Sequence, residues 1–179
     1  MDEAHKQQLV EARDWTRGEL DASVKFWLEH GIDRENGGVY TCLDRTGSIY
    51  STDKSVWMQG RGGWMYSYLT HLYGENTPEW LSTGKDEWMA AAKSCIDFLE
   101  NHCINHGAGG RLYFTVTAEG APLRQRRYCF SEGFYCIANA EYYGVTGDEE
   151  YLARARRAYQ MIYNLNNGLI EDPTGLGPK

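Results

Sequence analysis

One unit is written twice in this chain. Gly37 and Gly38, a short alternating run, a turn at Gly47 and an aromatic-rich helix are followed by Gly109 and Gly110, a turn at Gly120 and another such helix. Gly38 to Gly110 is 72 positions and Gly47 to Gly120 is 73. A period that long, repeating a hairpin and then a helix, marks supersecondary units that bury their apolar faces only against neighbours. About two units fit in 179 residues, whereas arrays of this kind generally need at least about three. The sequence is therefore expected to be part of something larger.

Hydrophobic periodicity predicts five helices of alternating character. The first, from about His5 to Glu29, puts Leu20, Val24, Trp27 and Leu28 on one face and charges on the other. The second, capped by Asp53 or Ser55 and running to about Tyr73, is apolar almost all round, with Gly60, Gly63 and Ser67 as a small-residue ridge for a close neighbour. The third, about Asp86 to Asn105, is amphipathic again. The fourth, from Ser131 to about Gly144, is largely apolar, and the fifth, from Gly147-Asp148, sets Tyr151, Ala155, Tyr159 and Ile162 against a basic outer face. Outer, inner, outer, inner, outer is the order of an all-α fold, an α/α toroid, in which inner helices line a central cavity. The two short β-hairpins precede the inner helices and are expected to gather on one rim.

Composition narrows the partners. With 42% hydrophobic and 13% aromatic residues the chain has ample core material. A net charge of -7, with no basic cluster larger than Arg124-Gln125-Arg126-Arg127, argues against nucleic acid or an anionic membrane surface. No basic and then apolar leader marks export, and no 18-residue apolar run spans a membrane. Five cysteines, Cys42, Cys95, Cys103, Cys129 and Cys136, form no CxxC pair and read as free thiols of a cytoplasmic protein. His102 and His106 lie near Cys95 and Cys103, but an amphipathic helix accounts for both cysteines, so neither metal nor cofactor is expected.

Chemistry is sought on the inner helices. Arg61 stands in an apolar element, sharing a face with Trp57, Trp64 and Tyr68 at i-4, i+3 and i+7. A buried charge costs several kcal/mol unless paired, so two readings stay open: a structural pair with Asp53 or Glu132, or a cavity group that grips an oxygen-rich ligand. Trp57, Tyr113 and Phe114 are candidate rings for stacking on a sugar. Glu132 and Asp53 imitate the acid and base of a glycoside hydrolase, although carboxylates at helix starts commonly act as caps. Of the five histidines only His71 falls on an inner helix, and no P-loop, Rossmann fingerprint or GxSxG occurs.

A family resemblance becomes specific at Phe26-Trp27-Leu28-Glu29-His30-Gly31-Ile32-Asp33, Glu35-Asn36-Gly37-Gly38-Val39-Tyr40-Thr41-Cys42-Leu43-Asp44-Arg45-Thr46-Gly47 and Thr52-Asp53-Lys54-Ser55-Val56-Trp57-Met58-Gln59-Gly60-Arg61. These runs resemble the N-terminal half of the N-acylglucosamine 2-epimerase family, which also contains renin-binding proteins and cellobiose 2-epimerases. The resemblance implies an (α/α)6 barrel about twice this length, of which residues 1–179 form one partial domain, with a sugar cavity at the hairpin rim. It implies inversion at C2 of a reducing sugar of N-acylglucosamine, mannose or cellobiose type: a base takes the proton beside the carbonyl, an enediolate forms, and an acid returns a proton to the opposite face. Arg61 matches the family's cavity arginine, which would stabilise the developing oxyanion. Tyr113 matches its substrate-contacting tyrosine, and Trp57 and Gln59 are neighbouring contacts.

The chain departs from the family in one respect. The family's acid/base histidines lie on later inner helices, and none of the five here matches them. A general acid or base supplies about 10²-fold or more, so the isolated 179 residues are expected to be inactive. Three functions remain open: a truncated sugar 2-epimerase or isomerase, a non-catalytic half-barrel that binds a sugar or a protein, and a toroid glycan hydrolase or lyase using Glu132 or Asp53. The sequence downstream of Lys179 separates the first two. A half-toroid leaves inner faces uncovered, so self-association into a homo-oligomer, or a missing C-terminal half, is expected.

Overall fold

The computed structural model describes residues 2–176. Helix α1 (Glu3–Phe26) is capped by Asp2, whose carboxylate accepts the His5 N–H at 2.9 Å. It stops short of the predicted Glu29 because the chain widens into a π-helical turn, Trp27–Gly31. Only Val24 of α1 is buried, with Leu20 partly so, which makes α1 an outer helix over most of its length.

The repeated unit is visible in the backbone. A bridge between Ile32 and Val39 closes the Gly37-Gly38 turn, and strands β1 (Cys42–Leu43) and β2 (Ile49–Ser51) close the Gly47 turn. Strand β3 (Lys54–Ser55) then leads into α2 (Val56–Tyr73). After α3 (Lys85–His102), β4 (Ile104–Asn105) pairs with β5 (Arg111–Leu112) across Gly109-Gly110. Next, β6 (Thr115–Val116) pairs with β7 (Pro122–Arg124) across Gly120. Helices α4 (Phe130–Thr146) and α5 (Glu149–Asn166) complete the order.

The second glycine turn of each unit carries a left-handed residue, Gly47 at φ +87° and Gly120 at φ +92°, where side chains are strained. The period also reaches back beyond the glycines. His30 and His102, 72 residues apart, each lie under one of these turns, so a Cβ on Gly47 or Gly120 would overlap the imidazole. Each imidazole also packs on a phenylalanine one helical turn earlier, Phe26 at 5.1 Å and Phe98 at 4.9 Å between centroids. Gly120→Ala therefore combines backbone strain with a clash against a partly buried ring. A loss of about 2–4 kcal/mol is expected in urea unfolding, whereas Gly147→Ala, also at positive φ but with open space around its Cβ position, is expected to lose about half as much.

The two units are joined by hydrogen bonds. Strand β6 pairs with both β3 and β7, so the first unit's last strand and the second unit's hairpin share a sheet. The predicted side-chain cap of α2 is absent: neither Asp53 nor Ser55 caps it, and the first helical N–H, on Val56, donates instead to the Phe114 carbonyl at 3.1 Å. The entrance to α2 is thus fixed by the second hairpin. Helix α4 runs past Gly144 to a left-handed Gly147, and Asp148 caps α5 by accepting the Glu150 N–H at 3.0 Å.

A buried lysine ties the same region. Lys54 Nζ donates to Asp33 Oδ2 at 2.7 Å, to Gly37 O at 2.7 Å and to Ala118 O at 3.0 Å, and it sits 4.2 Å from the Phe98 ring centroid. All three donor positions are used, one on the second unit's turn. Burial pushes the Asp33 carboxyl up, but Lys54 and the N–H groups of Asn36 and Glu35 outweigh it and bring it down from 3.8 to about 2.

Helix α2 packs between α3 and α4, and α4 between α2 and α5. The small-residue ridge works as predicted. A Cβ on Gly60 would lie 2.6 Å from Phe134 Cβ and 2.8 Å from Phe134 O, so the two inner helices touch backbone to backbone there. Trp88, Ile96, Tyr66 and Ala138 fill one core cluster; Val56, Phe98, Leu99 and Val116 fill a second beneath the hairpins. The inner helices leave Trp64, Tyr68, Leu72 and Ile137 exposed on the side away from α3 and α5. Among the described residues no helix is long and apolar enough to cross a membrane.

Candidate functional site

Arg61 opens onto a cavity of about 490 Å³ walled by Trp27, Met58, Trp64, Met65, Phe134 and Ile137, and among the described residues it is the one charged group on that wall. Its guanidinium makes no hydrogen bond or ion pair among the described residues. It rests over the Phe134 ring, 4.8 Å from the centroid. The structural pairing with Asp53 or Glu132 is not formed, because Glu132 is engaged by Arg111 at 2.6 Å and Asp53 stays exposed without an ion pair. Arg61 is exposed, and a cation held only by a ring face keeps all its N–H donors for a ligand.

Trp57 stands one turn before Arg61. Its indole N–H donates to the buried Ser131 Oγ at 3.1 Å, and its ring meets Phe114 edge-on at 5.1 Å, Phe130 at 5.4 Å and Phe134 at 5.8 Å. Arg126 lies over the outer face of this group, 4.9 Å from the Phe114 centroid. Phe114, rather than the neighbouring Tyr113, joins Trp57. Tyr113 is partly buried against the core cluster beneath the hairpins, and its hydroxyl makes no hydrogen bond among the described residues.

Gln59 requires a correction. It was expected beside Trp57 as a sugar contact, yet it is fully buried and its amide is spent on one residue: Oε1 accepts the Val39 N–H and Nε2 donates to Val39 O, both at 2.7 Å. Glu132, 73 residues on, repeats the device, with Oε1 accepting the Leu112 N–H at 2.9 Å; Leu112 is itself 73 residues after Val39. Each inner helix therefore hooks the strand that follows its double-glycine turn. Glu132 is 1% exposed and absent from the lining of the Arg61 cavity, which removes it as a catalytic acid there.

The histidines stay outside the cavity. His71 pairs with Glu141 at 2.9 Å across α2 and α4, and no histidine lines the Arg61 cavity among the described residues. Among the same residues no group of three or more His, Cys, Asp or Glu side chains is arranged to hold a metal. The Cys95 and Cys103 thiols are free, and burial pushes both up to about 12, which leaves them protonated and unreactive.

Residues 37–172 match the family model described as N-acylglucosamine 2-epimerase (GlcNAc 2-epimerase). The chain belongs to the N-acylglucosamine 2-epimerase family. Within that family it is 37% identical over 159 residues to the N-acylglucosamine 2-epimerase of Rattus norvegicus, covering 89% of this chain and 36% of the rat protein. It is 32% identical over 143 residues to the cellobiose 2-epimerase of Ruminococcus albus, covering 79% of this chain and 34% of that protein. A solved sugar epimerase from a ruminal bacterium superposes with a TM-score of 0.64 at 30% identity, over 76% of this chain and 32% of that one. The chain thus spans about a third of the length of these epimerases. Its five helices and paired hairpins are a sector of the α/α toroid seen in the solved cellobiose 2-epimerases.

Ser131 and Phe134 were not singled out for the site. The signal was in the repeat: Phe134 follows Arg61 by 73 positions and Phe130 follows Trp57 by 73. The two inner helices therefore present equivalent positions to one another, an arginine and a tryptophan on α2 against two phenylalanines on α4.

Proposed function

We propose that this chain forms one wall of the sugar cavity of a carbohydrate 2-epimerase or isomerase acting on a reducing sugar of N-acylglucosamine, mannose or cellobiose type. Removal of the C2 proton beside the open-chain carbonyl places charge on the carbonyl oxygen, giving an enediolate. Arg61 donates to that oxygen, Trp57 and Phe114 provide the apolar face for the sugar ring, and Tyr113 is a hydroxyl contact. The observation that carries this reading is the unpaired Arg61 guanidinium on an apolar wall. A preorganised donor of this kind is worth about 10²–10³ in rate when it faces the developing oxyanion.

No histidine lines the Arg61 cavity among the described residues, and this reading assigns the acid and base to the rest of the family barrel. The isolated chain is expected to invert no C2 centre of N-acetylglucosamine, mannose or cellobiose; turnover by the 179 residues alone would sink this reading. Binding is expected to be retained in weak form, read by the intrinsic tryptophan fluorescence of the chain, and Arg61→Gln is expected to weaken it about tenfold. Unchanged binding in Arg61→Gln would remove Arg61 from the site. A second reading, a sugar-binding half-barrel without catalysis, predicts the same binding loss and no turnover even when the rest of a family barrel is supplied in trans.

A further inference from the structure

The cation at the centre of the site lacks the usual means of fixing an arginine. Arg61 has no carboxylate, carbonyl or hydroxyl partner among the described residues, yet its position on α2 is one residue after Gly60, where α2 and α4 touch. That contact is made by Phe134 itself: a Cβ at Gly60 would meet Phe134 Cβ at 2.6 Å and Phe134 O at 2.8 Å. The backbone of Phe134 is pinned against α2, so its ring has little choice of place. It lies under the guanidinium at 4.8 Å and beside the Trp57 indole at 5.8 Å. One turn earlier on α4, the buried Ser131 hydroxyl accepts the Trp57 N–H at 3.1 Å.

We infer that Phe134 is the positioning residue for Arg61, and that with Ser131 it lets α4 set the orientation of both α2 side chains without spending any hydrogen-bond donor of the guanidinium. This inference rests on the role proposed for Arg61 above. An ion pair would hold Arg61 more firmly, but would occupy N–H groups and neutralise the charge that a developing oxyanion needs. A ring face holds the cation through its quadrupole and leaves the edge of the planar group free. The same ring contributes to the apolar wall of the cavity onto which the exposed guanidinium opens.

The test uses the chain itself, with Phe134→Leu to remove the ring face and Phe134→Tyr to restore it. The first readout needs no ligand: the NMR order parameter of the Arg61 Nε–H bond. It is expected to fall from a rigid value towards the flexible range, below about 0.6, in Phe134→Leu and to recover in Phe134→Tyr. An unchanged order parameter in Phe134→Leu would overturn the inference. The second readout is binding of D-gluconohydroxamate, whose planar hydroxamate mimics an enediolate, followed by isothermal titration calorimetry. Phe134→Leu is expected to weaken it roughly threefold to tenfold, Phe134→Tyr by less than about twofold, and Phe134→Leu by nothing further in the Arg61→Gln background. Equal losses in both backgrounds would show that Phe134 acts by packing alone and would also overturn it. If Arg61 loses order in Phe134→Leu while the unsubstituted chain fails to bind the hydroxamate, the positioning stands and the proposed role of Arg61 falls.

Discussion

Lys54→Met is expected to cost about 3–5 kcal/mol in urea unfolding at pH 7. The ammonium and its partner Asp33 are both fully enclosed, with 0% and 1% of their side-chain surface exposed. Methionine fills most of the volume but leaves the Asp33 carboxylate buried without its cation and the carbonyls of Gly37 and Ala118 without their donor. The loss also reaches across units, because Ala118 belongs to the second hairpin while Gly37 belongs to the first. The dependence on pH separates this account from a simple packing defect. In the unsubstituted chain Asp33 is depressed to about 2, so its contribution, about 2 kcal/mol, is present above pH 4 and lost as the pH falls towards 2. In Lys54→Met the cation is gone, while the Glu35 and Asn36 N–H groups and the Asn36 amide still favour the charged carboxylate against burial, so the depression of the Asp33 carboxyl shrinks. The variant is then expected to lose less stability than the unsubstituted chain as the pH falls from 4 towards 2. A variant whose midpoint falls in parallel with the unsubstituted chain at every pH would show that Lys54 acts only by filling space.

What the sequence made legible follows from which forces leave a local mark. The paired glycines needed left-handed backbone, and the inner helices needed apolar residues all round, so both the repeat and the order of helices could be read directly. Arg61 stood out because a charge in an apolar helix is conspicuous. Gln59 did not reveal its true task because both of its partners are main-chain atoms of Val39, and backbone acceptors leave no residue-type signature. The cap of α2 was missed for the same reason: the Phe114 carbonyl that satisfies Val56 is supplied from a strand whose register with β3 is a long-range choice. Glu132 is left between a structural carboxylate and a catalytic acid. A carboxylate at a helix start has several ordinary uses, and the one realised here depends on Arg111, 21 residues earlier and buried. Comparing Gln59 with Glu132 at the repeat distance of 73 would have exposed both as hooks.

That equivalence makes a graded prediction at Glu132. Its Oε1 accepts from the Leu112 N–H at 2.9 Å, as the Gln59 oxygen does from Val39, and also from Arg111 Nε. Arg111 is fully buried and also bonds Asp172 and the carbonyls of Arg126, Arg127 and Tyr128, so it gathers the loop before α4 and the segment after α5 onto β5. Glu132→Ala removes the hook and half of the counter-charge together, and about 3–5 kcal/mol of stability is expected to go. Glu132→Gln keeps an oxygen for Leu112 and for Arg111 and loses only charge, with Asp172 still paired, so about 1–2 kcal/mol is expected. If Glu132 were instead the acid of a glycan hydrolase, Glu132→Gln would abolish cleavage while leaving stability nearly untouched. The two accounts thus predict opposite rankings of one variant, and parallel urea and glycan-cleavage measurements on Glu132→Gln distinguish them. A fall in the urea midpoint with no cleavage by either chain fits the hook, and it places the chemistry of the Arg61 cavity outside the reach of Glu132.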